Sequence, residues 1–348
     1  MTDNLFDRLS DLLKSTGPVN WRLAAELAAS VAGPAEAIEP DLADEYRELL
    51  RTAHLQVADQ AGLGHFPDLG AEVTDPRTFA SEHVEDLSYF AQPVAQRLST
   101  ALGTTDPMAG ILTPALIGVS IGIAFGASAR QALGAFDAPL PLLDPEGMIL
   151  IIPNVETLAA EASVDAREAR MWAALHEAAR ASTLAIPWVR THLLETVARY
   201  SEDLDIDPGA IVERFEHLSS PESLQEALQD PSLAGEIFGG GGDGTAAEPL
   251  RAAAAAVSGF GCYVADMAAR QLVPHAAALE AAHRPAGREL PMLGIELADE
   301  PPARAFFEEL ARRWGDDAVV RVWRDPQSLP SVDELADPVG WAARVLLE

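Results

Sequence analysis

Apolar residues recur at three- and four-residue spacing along most of the chain, the periodicity of helices with one buried face. Leu5, Phe6, Leu9, Leu12 and Leu13 predict a helix over residues 3–15. Asn20 can cap a second helix through about residue 32, stopped by Gly33-Pro34. A third spans roughly Leu42 to Ala61, and a fourth starts after Asp75-Pro76 and carries Phe79, Val84, Leu87, Phe90, Val94 and Leu98. Strand signals are scarce: Gly147 to Pro153, a short apolar run, is the best one. Asp165 to Ile186 reads as a helix ended by Pro187. Further helices are expected from Trp188 past Tyr200 and at 209–218, 221–229, 246–272 and 300–314. The pattern predicts a mainly α, multi-helix fold with minimal β-strand.

Two segments qualify that picture. Between Asp106 and Arg130 no residue is charged, which is long enough for a membrane span. Gly118, Gly122 and Gly126 form a ladder of small residues that lets helices approach closely. Pro114 interrupts the run and no basic flank marks a cytoplasmic side, so a buried core helix is the expectation. Residues 239–244, Gly-Gly-Gly-Gly-Asp-Gly, read as a linker. No Gly-Lys-Ser/Thr follows them, so a phosphate loop is not indicated. The linker would join a helical region over 1–238, holding the 165–186 helix, to a helical region over 245–348 that packs on that helix within the same unit.

Composition narrows the partners. The 348 residues are 48% hydrophobic and 22% charged, as in a globular protein with a sizeable core. Lys and Arg number 24 against 54 Asp and Glu, a formal charge of −30. A nucleic-acid binder needs a basic footprint that this chain lacks, and anionic lipid would repel it. A single cysteine, Cys262, allows no internal disulfide. With no secretory signal visible at residues 1–5, a cytoplasmic location is expected.

Candidate chemistry lies in Met171-Trp172-Ala173-Ala174-Leu175-His176-Glu177-Ala178-Ala179-Arg180. His-Glu-x-x-His on a helix places two imidazoles one turn apart to share a zinc ion, with the Glu beside a metal-bound water. Here the second His is replaced by Arg180, a permanent cation with no lone pair to give. Taken locally, the stretch also fits a His packed among alanines, with Glu177 and Arg180 as an i,i+3 ion pair.

The wider sequence resembles a zincin-like family of uncharacterised hydrolases or zinc-dependent metalloproteases. The resemblance rests on the 172–180 segment and on Ile186-Pro187-Trp188-Val189-Arg190 after it. Pro18-Val19-Asn20-Trp21, Asp137-Ala138-Pro139-Leu140-Pro141, Ile152-Pro153-Asn154, Val322 to Pro330 and Asp337-Pro338-Val339-Gly340-Trp341 extend it along the chain. It implies a zincin-like helical domain, with His176 as a relic metal ligand and Glu177 as a relic general base. Arg180 stands at the second ligand and Ser258 at the third, where the family tends to carry a Glu. It further implies Asp266 and Cys262 as residues around the former metal.

Zinc belongs to the family, but with two ligands replaced none is expected here. Repulsion between Arg180 and a divalent ion at about 4–6 Å would be roughly 5–8 kcal/mol at an effective dielectric near 20. On this reading Arg180 takes the place of the metal and neutralises Glu177, and both Arg180→His and Ser258→Glu would be needed to rebuild the site. The expected function is a catalytically degenerate zincin-like protein that holds an extended peptide or a protein in the relic cleft. One alternative is an active hydrolase with a rearranged ligand set, His176 with Cys262 or Asp266. The other is a structural interaction protein.

Overall fold

The computed structural model describes residues 17–62, 69–102, 107–137, 142, 147–203, 247–283 and 300–347. The helices expected at 3–15, 209–218 and 221–229, and the glycine run at 239–244, lie outside the described residues. Within them the protein is mainly α.

Helix α1 (Trp21–Ala32) starts where the Asn20 side chain accepts the Leu23 N–H at 3.1 Å. Helix α2 (Pro40–Ala61) follows, then strand β1 (Gly70–Thr74). Asp75 caps α3 (Pro76–His83). The fourth predicted helix does not run on unbroken. It tightens to a 3-10 turn over Val84–Leu87 before α4 (Ser88–Leu102) begins. Val84 and Leu87 are both buried, and a 3-10 turn eclipses residues three apart, which puts both on the core side.

Helix α5 (Pro107–Ala129) is the uncharged stretch, and it continues through Pro114. Its glycine ladder lies against α1. A Cβ at Gly122 would sit 2.5 Å from the Ala24 carbonyl oxygen, and one at Gly126 2.5 Å from that of Ala28. Gly118 meets the Asn20 carbonyl in the same way. The two backbones therefore touch along three turns, and only glycine permits it.

Strand β2 (Gly147–Ile151) is buried along its whole length and pairs in parallel with β1, Gly70 opposite Gly147 and Thr74 opposite Ile151. β1 was not expected: Gly-Ala-Glu-Val-Thr is too short and too polar to signal a strand. On the other edge of β2 the segment at 133–135 runs antiparallel. Ala135 N–H donates to Ile149 O at 3.2 Å and Ile151 N–H to Leu133 O at 2.9 Å.

The chain then forms α6 (Ile152–Ala162), α7 (Ala166–Leu184), α8 (Pro187–Asp203), α9 (Glu248–Ala269), α10 (Ala276–Ala282) and α11 (Glu300–Trp314). Helix α7 is central, with α2, α6, α9 and β2 packed around it, and every residue from Trp172 to Thr183 is buried. Helix α9 is long and apolar enough to cross a membrane, yet 83% of its apolar window is buried inside the protein. Helix α11 packs on α9, where Phe307 meets Phe260 edge-on, and α11 also sets Phe306 edge-on against Trp341 and stacks Phe307 on Trp323. The turn before the last helices is fixed by the Trp341 indole N–H, which donates to Ser328 O at 2.8 Å.

Candidate functional site

Helix α7 begins where the Asp165 carboxylate accepts the Arg167 N–H. His176, Glu177 and Arg180 leave its middle two turns, all buried.

Glu177 is committed to the backbone. Its Oε1 accepts the N–H groups of Ala135 (3.1 Å) and Ile149 (3.0 Å), and its Oε2 accepts that of Phe136 (3.2 Å). The carboxylate thus ties α7 to both β2 and the segment beside it, satisfying amides that would otherwise be buried with weaker partners or none. Gly134 makes the approach possible, since a Cβ there would collide with the carboxylate and lie 2.5 Å from Ile149 O. Burial pushes the Glu177 carboxyl up to about 7, while the Ile149 and Phe136 amides and Arg180 pull it down.

Arg180 does not pair with Glu177. Its Nη1 donates to Asp137 Oδ1 at 2.9 Å, in an ion pair whose side chains are only 5% and 3% exposed. The expected neutralisation of Glu177 is corrected here: the amides already occupy the Glu177 oxygens, so the guanidinium reaches the next carboxylate. Asp137 Oδ2 accepts the Leu133 N–H at 3.0 Å and lies 3.1 Å from His283 Nε2. Burial works to raise the Asp137 carboxyl, but His283, Arg180 and the Leu133 amide together hold it well below the usual carboxylate range. Helix α9 shapes a slot for the arginine. A Cβ at Gly261 would sit 2.5 Å from Arg180 Cγ, and Cys262 Sγ lies 3.6 Å from Nη2.

The His176 ring lies against Trp172, with centroids 4.1 Å apart, and His283 meets the same indole edge-on at 5.4 Å. His176 Nε2 is buried and has no hydrogen-bond partner among the described residues. Burial, then Arg180 and His283, hold the His176 pKa well below its ordinary value against the pull of Asp137, so the ring is neutral near pH 7. A narrow cavity with room for about one water is lined by Asp137, Trp172, His176, Glu177, Arg180 and His283 among others.

Two further residues that the family resemblance implies, Ser258 and Asp266, lie elsewhere on α9. Ser258 is half-buried one turn before Gly261–Cys262, and the cavity lining does not include it. Asp266 forms an ion pair with Arg304 at 2.8 Å, and burial raises its carboxyl to about 6 against the pull of Arg304. His275 is a surface residue 3.1 Å from Glu168. His192 packs against Trp188, and burial lowers its pKa. Asp137 was visible in the sequence only as part of a landmark segment, and His283 carried no local signal at all. Both are brought to Arg180 by tertiary structure.

The donor set does not fit a catalytic zinc ion, which takes three protein ligands and a water. The Glu177 oxygens hold three amides, and Asp137 holds Arg180, Leu133 and His283. That leaves the His176 nitrogen, with a fixed cation one turn away. Among the described residues no group of three or more His, Cys, Asp or Glu side chains is arranged to hold a metal ion.

Comparison with known proteins places this geometry. No curated protein matches the chain. A crystal structure of a candidate hydrolase with a novel fold from Chloroflexus aurantiacus is similar, at 21% identity and a TM-score of 0.70. The likeness covers 95% of this chain and 99% of that one, which establishes a shared fold. The family model for zincin-like metallopeptidases matches residues 19–342. With nearly the whole chain inside that match, and with His176-Glu177 on a central helix, the protein belongs to the zincin-like metallopeptidase family.

Proposed function

We propose that this chain is a catalytically degenerate member of its family, in which the motif helix serves the fold and the protein acts as a binding or scaffolding element. The observation that carries this reading is the Glu177 carboxylate, held by three backbone amides from two segments. A general base must reach a water or substrate proton in the site, and three of the roughly four acceptor positions of this carboxylate are already given to backbone amides. The buried Arg180–Asp137 pair supports the same reading, since it places a permanent positive charge at the second ligand position of the motif.

The test is the zinc content of the protein purified without added metal, measured by emission spectroscopy and combined with hydrolysis of a peptide library with and without zinc. The expected result is substoichiometric zinc and no hydrolysis above background. One zinc per chain, with cleavage lost on chelation, would overturn the proposal in favour of a rearranged active site. A pulldown from a library of extended peptides tests the binding role, which requires selective enrichment; no enrichment would leave a structural role alone.

A further inference from the structure

Helix α10 is held on the protein mainly by charge. Its seven residues, Ala-Ala-Ala-Leu-Glu-Ala-Ala, are too few to keep a helix in water alone, and Leu279 is its one buried side chain. It lies on α6 and α7, and a histidine–carboxylate pair fixes each end. At the start, Glu168 of α7 accepts the His275 N–H at 3.0 Å and faces Nδ1 of the same residue at 3.1 Å. At the end, His283 Nε2 lies 3.1 Å from Asp137 Oδ2. Between them Glu280 pairs with Arg304 of α11. Among the described residues lining the cavity at Asp137 and Arg180, all but His283 belong to the 133–137 segment or to α7. His283 is therefore the piece of the cavity wall that can withdraw without unpacking the central helix.

We propose that α10 is a proton-sensitive strap: two histidine–carboxylate pairs hold it over the cavity, and their loss of charge as pH rises lets it open as a unit. Histidine is the side chain whose charge changes between about pH 5 and 8. A neutral imidazole can still share a hydrogen with a carboxylate, but the charge-assisted bond is about twice as strong. A proton bound more tightly with the strap closed favours closure as pH falls. The surrounding charges leave that sign unchanged. Arg180, beyond Asp137, is a permanent cation, and His176 is neutral near pH 7. On α6, Glu156 is taken up by Tyr46 and Arg170, and among the described residues no ion pair joins Glu161 to either histidine. Arg304 also holds Asp266, whose carboxyl is raised to about 6, and Glu308. With α10 withdrawn, Asp137, Arg180 and Trp172 become accessible to a partner, so pH governs access to the cleft.

The inference goes beyond the binding role given above and is separable from it, because neither zinc content nor peptide enrichment enters its test. That test is amide hydrogen exchange of the full chain, read by NMR at about pH 6.5 and about pH 8, a range over which Asp266 is largely ionised. Each rate is corrected for its intrinsic pH dependence. The reporters are the amides at positions 279 and 283, which donate to the carbonyls of His275 and Leu279. Their protection should fall by about threefold or more with rising pH, and by more than that of the α7 amides. In His275→Gln/His283→Gln it should be low at both pH values. Protection that does not change with pH, or falls only in step with α7, overturns the proposal, as does a response that survives in the double variant. If the double variant does not fold, the surface change His275→Gln decides. It should lower protection at both reporters at about pH 6.5; an effect confined to position 279, or none, means that the helix does not open as a unit and overturns the proposal.

Discussion

Replacing Glu177 by Gln would keep one oxygen for the amides of Ala135 and Ile149 but turn an N–H toward that of Phe136. Two donors cannot share a bond, so one buried amide loses its acceptor. A loss of about 1–3 kcal/mol is expected, read from urea midpoints at constant m-value. His176 and Glu177 also oppose each other in pH. The depressed His176 pKa stabilises the fold above about 6.5, and that stability is lost as pH falls. The raised Glu177 pKa acts the other way: its stabilisation is full below 4.5 and is lost as pH rises through about 7. In the unmodified protein the two slopes offset between about pH 5 and 6.5. With His176→Gln the slopes of Glu177 and Asp266, which share a sign, are opposed by that of the half-buried His192, so stability should fall as pH rises across that interval; a flat profile in thermal melts would count against these assignments. At this scale the sequence disclosed the motif residues but not their partners. Glu177 and Arg180 lie three apart and read as a pair. Only the segment at 133–137, more than forty residues upstream, explains why each bonds elsewhere.

Among the elements, the α1–α5 contact is the one most exposed to a single added carbon. Glycine to alanine within a helix gains about 1 kcal/mol of propensity. At Gly122 that gain competes with a Cβ placed 2.5 Å from a backbone carbonyl, which cannot rotate aside. Overpacking of this kind costs about 1–3 kcal/mol, so Gly122→Ala should destabilise the protein on balance. Gly122→Leu should do so severely, with loss of soluble yield. The ladder was plain in the sequence, and so was the cap at Asn20. What covers the ladder was not. A run without charge between Asp106 and Arg130 suits a neighbouring helix as well as lipid, and α1 carries an ordinary amphipathic pattern that does not advertise its partner. The short β1 escaped notice for a related reason: its pairing with β2 is set by burial of β2, not by its own five residues.

For the molecule as a whole, the surplus of 54 acidic over 24 basic residues predicts self-repulsion that screening relieves. The exposed ion pairs, such as Arg47–Asp44 and Arg312–Glu309, weaken with salt, but each is worth little. Raising NaCl from about 10 to 150 mM, over which the Debye length falls from about 30 to 8 Å, should therefore raise the melting temperature by several degrees. A decrease would mean that the ion pairs outweigh the net charge. The mainly α architecture followed from helical periodicity along the chain, and the family from landmarks spread between Val19 and Trp341. The parallel strand pair and the Asp137–Arg180–His283 cluster did not, because each joins segments far apart in sequence.

The grip of Glu177 on Ala135, Phe136 and Ile149 has a consequence for how such motifs persist. A side chain that holds strand and loop to the central helix is under selection for folding whether or not any peptide is cut. On the function proposed above, position 180 can change without loss of the fold, whereas the acid at position 177 is still required by it. The His176-Glu177 pair of this chain is thus tied to its architecture; activity has to be judged from the groups around it.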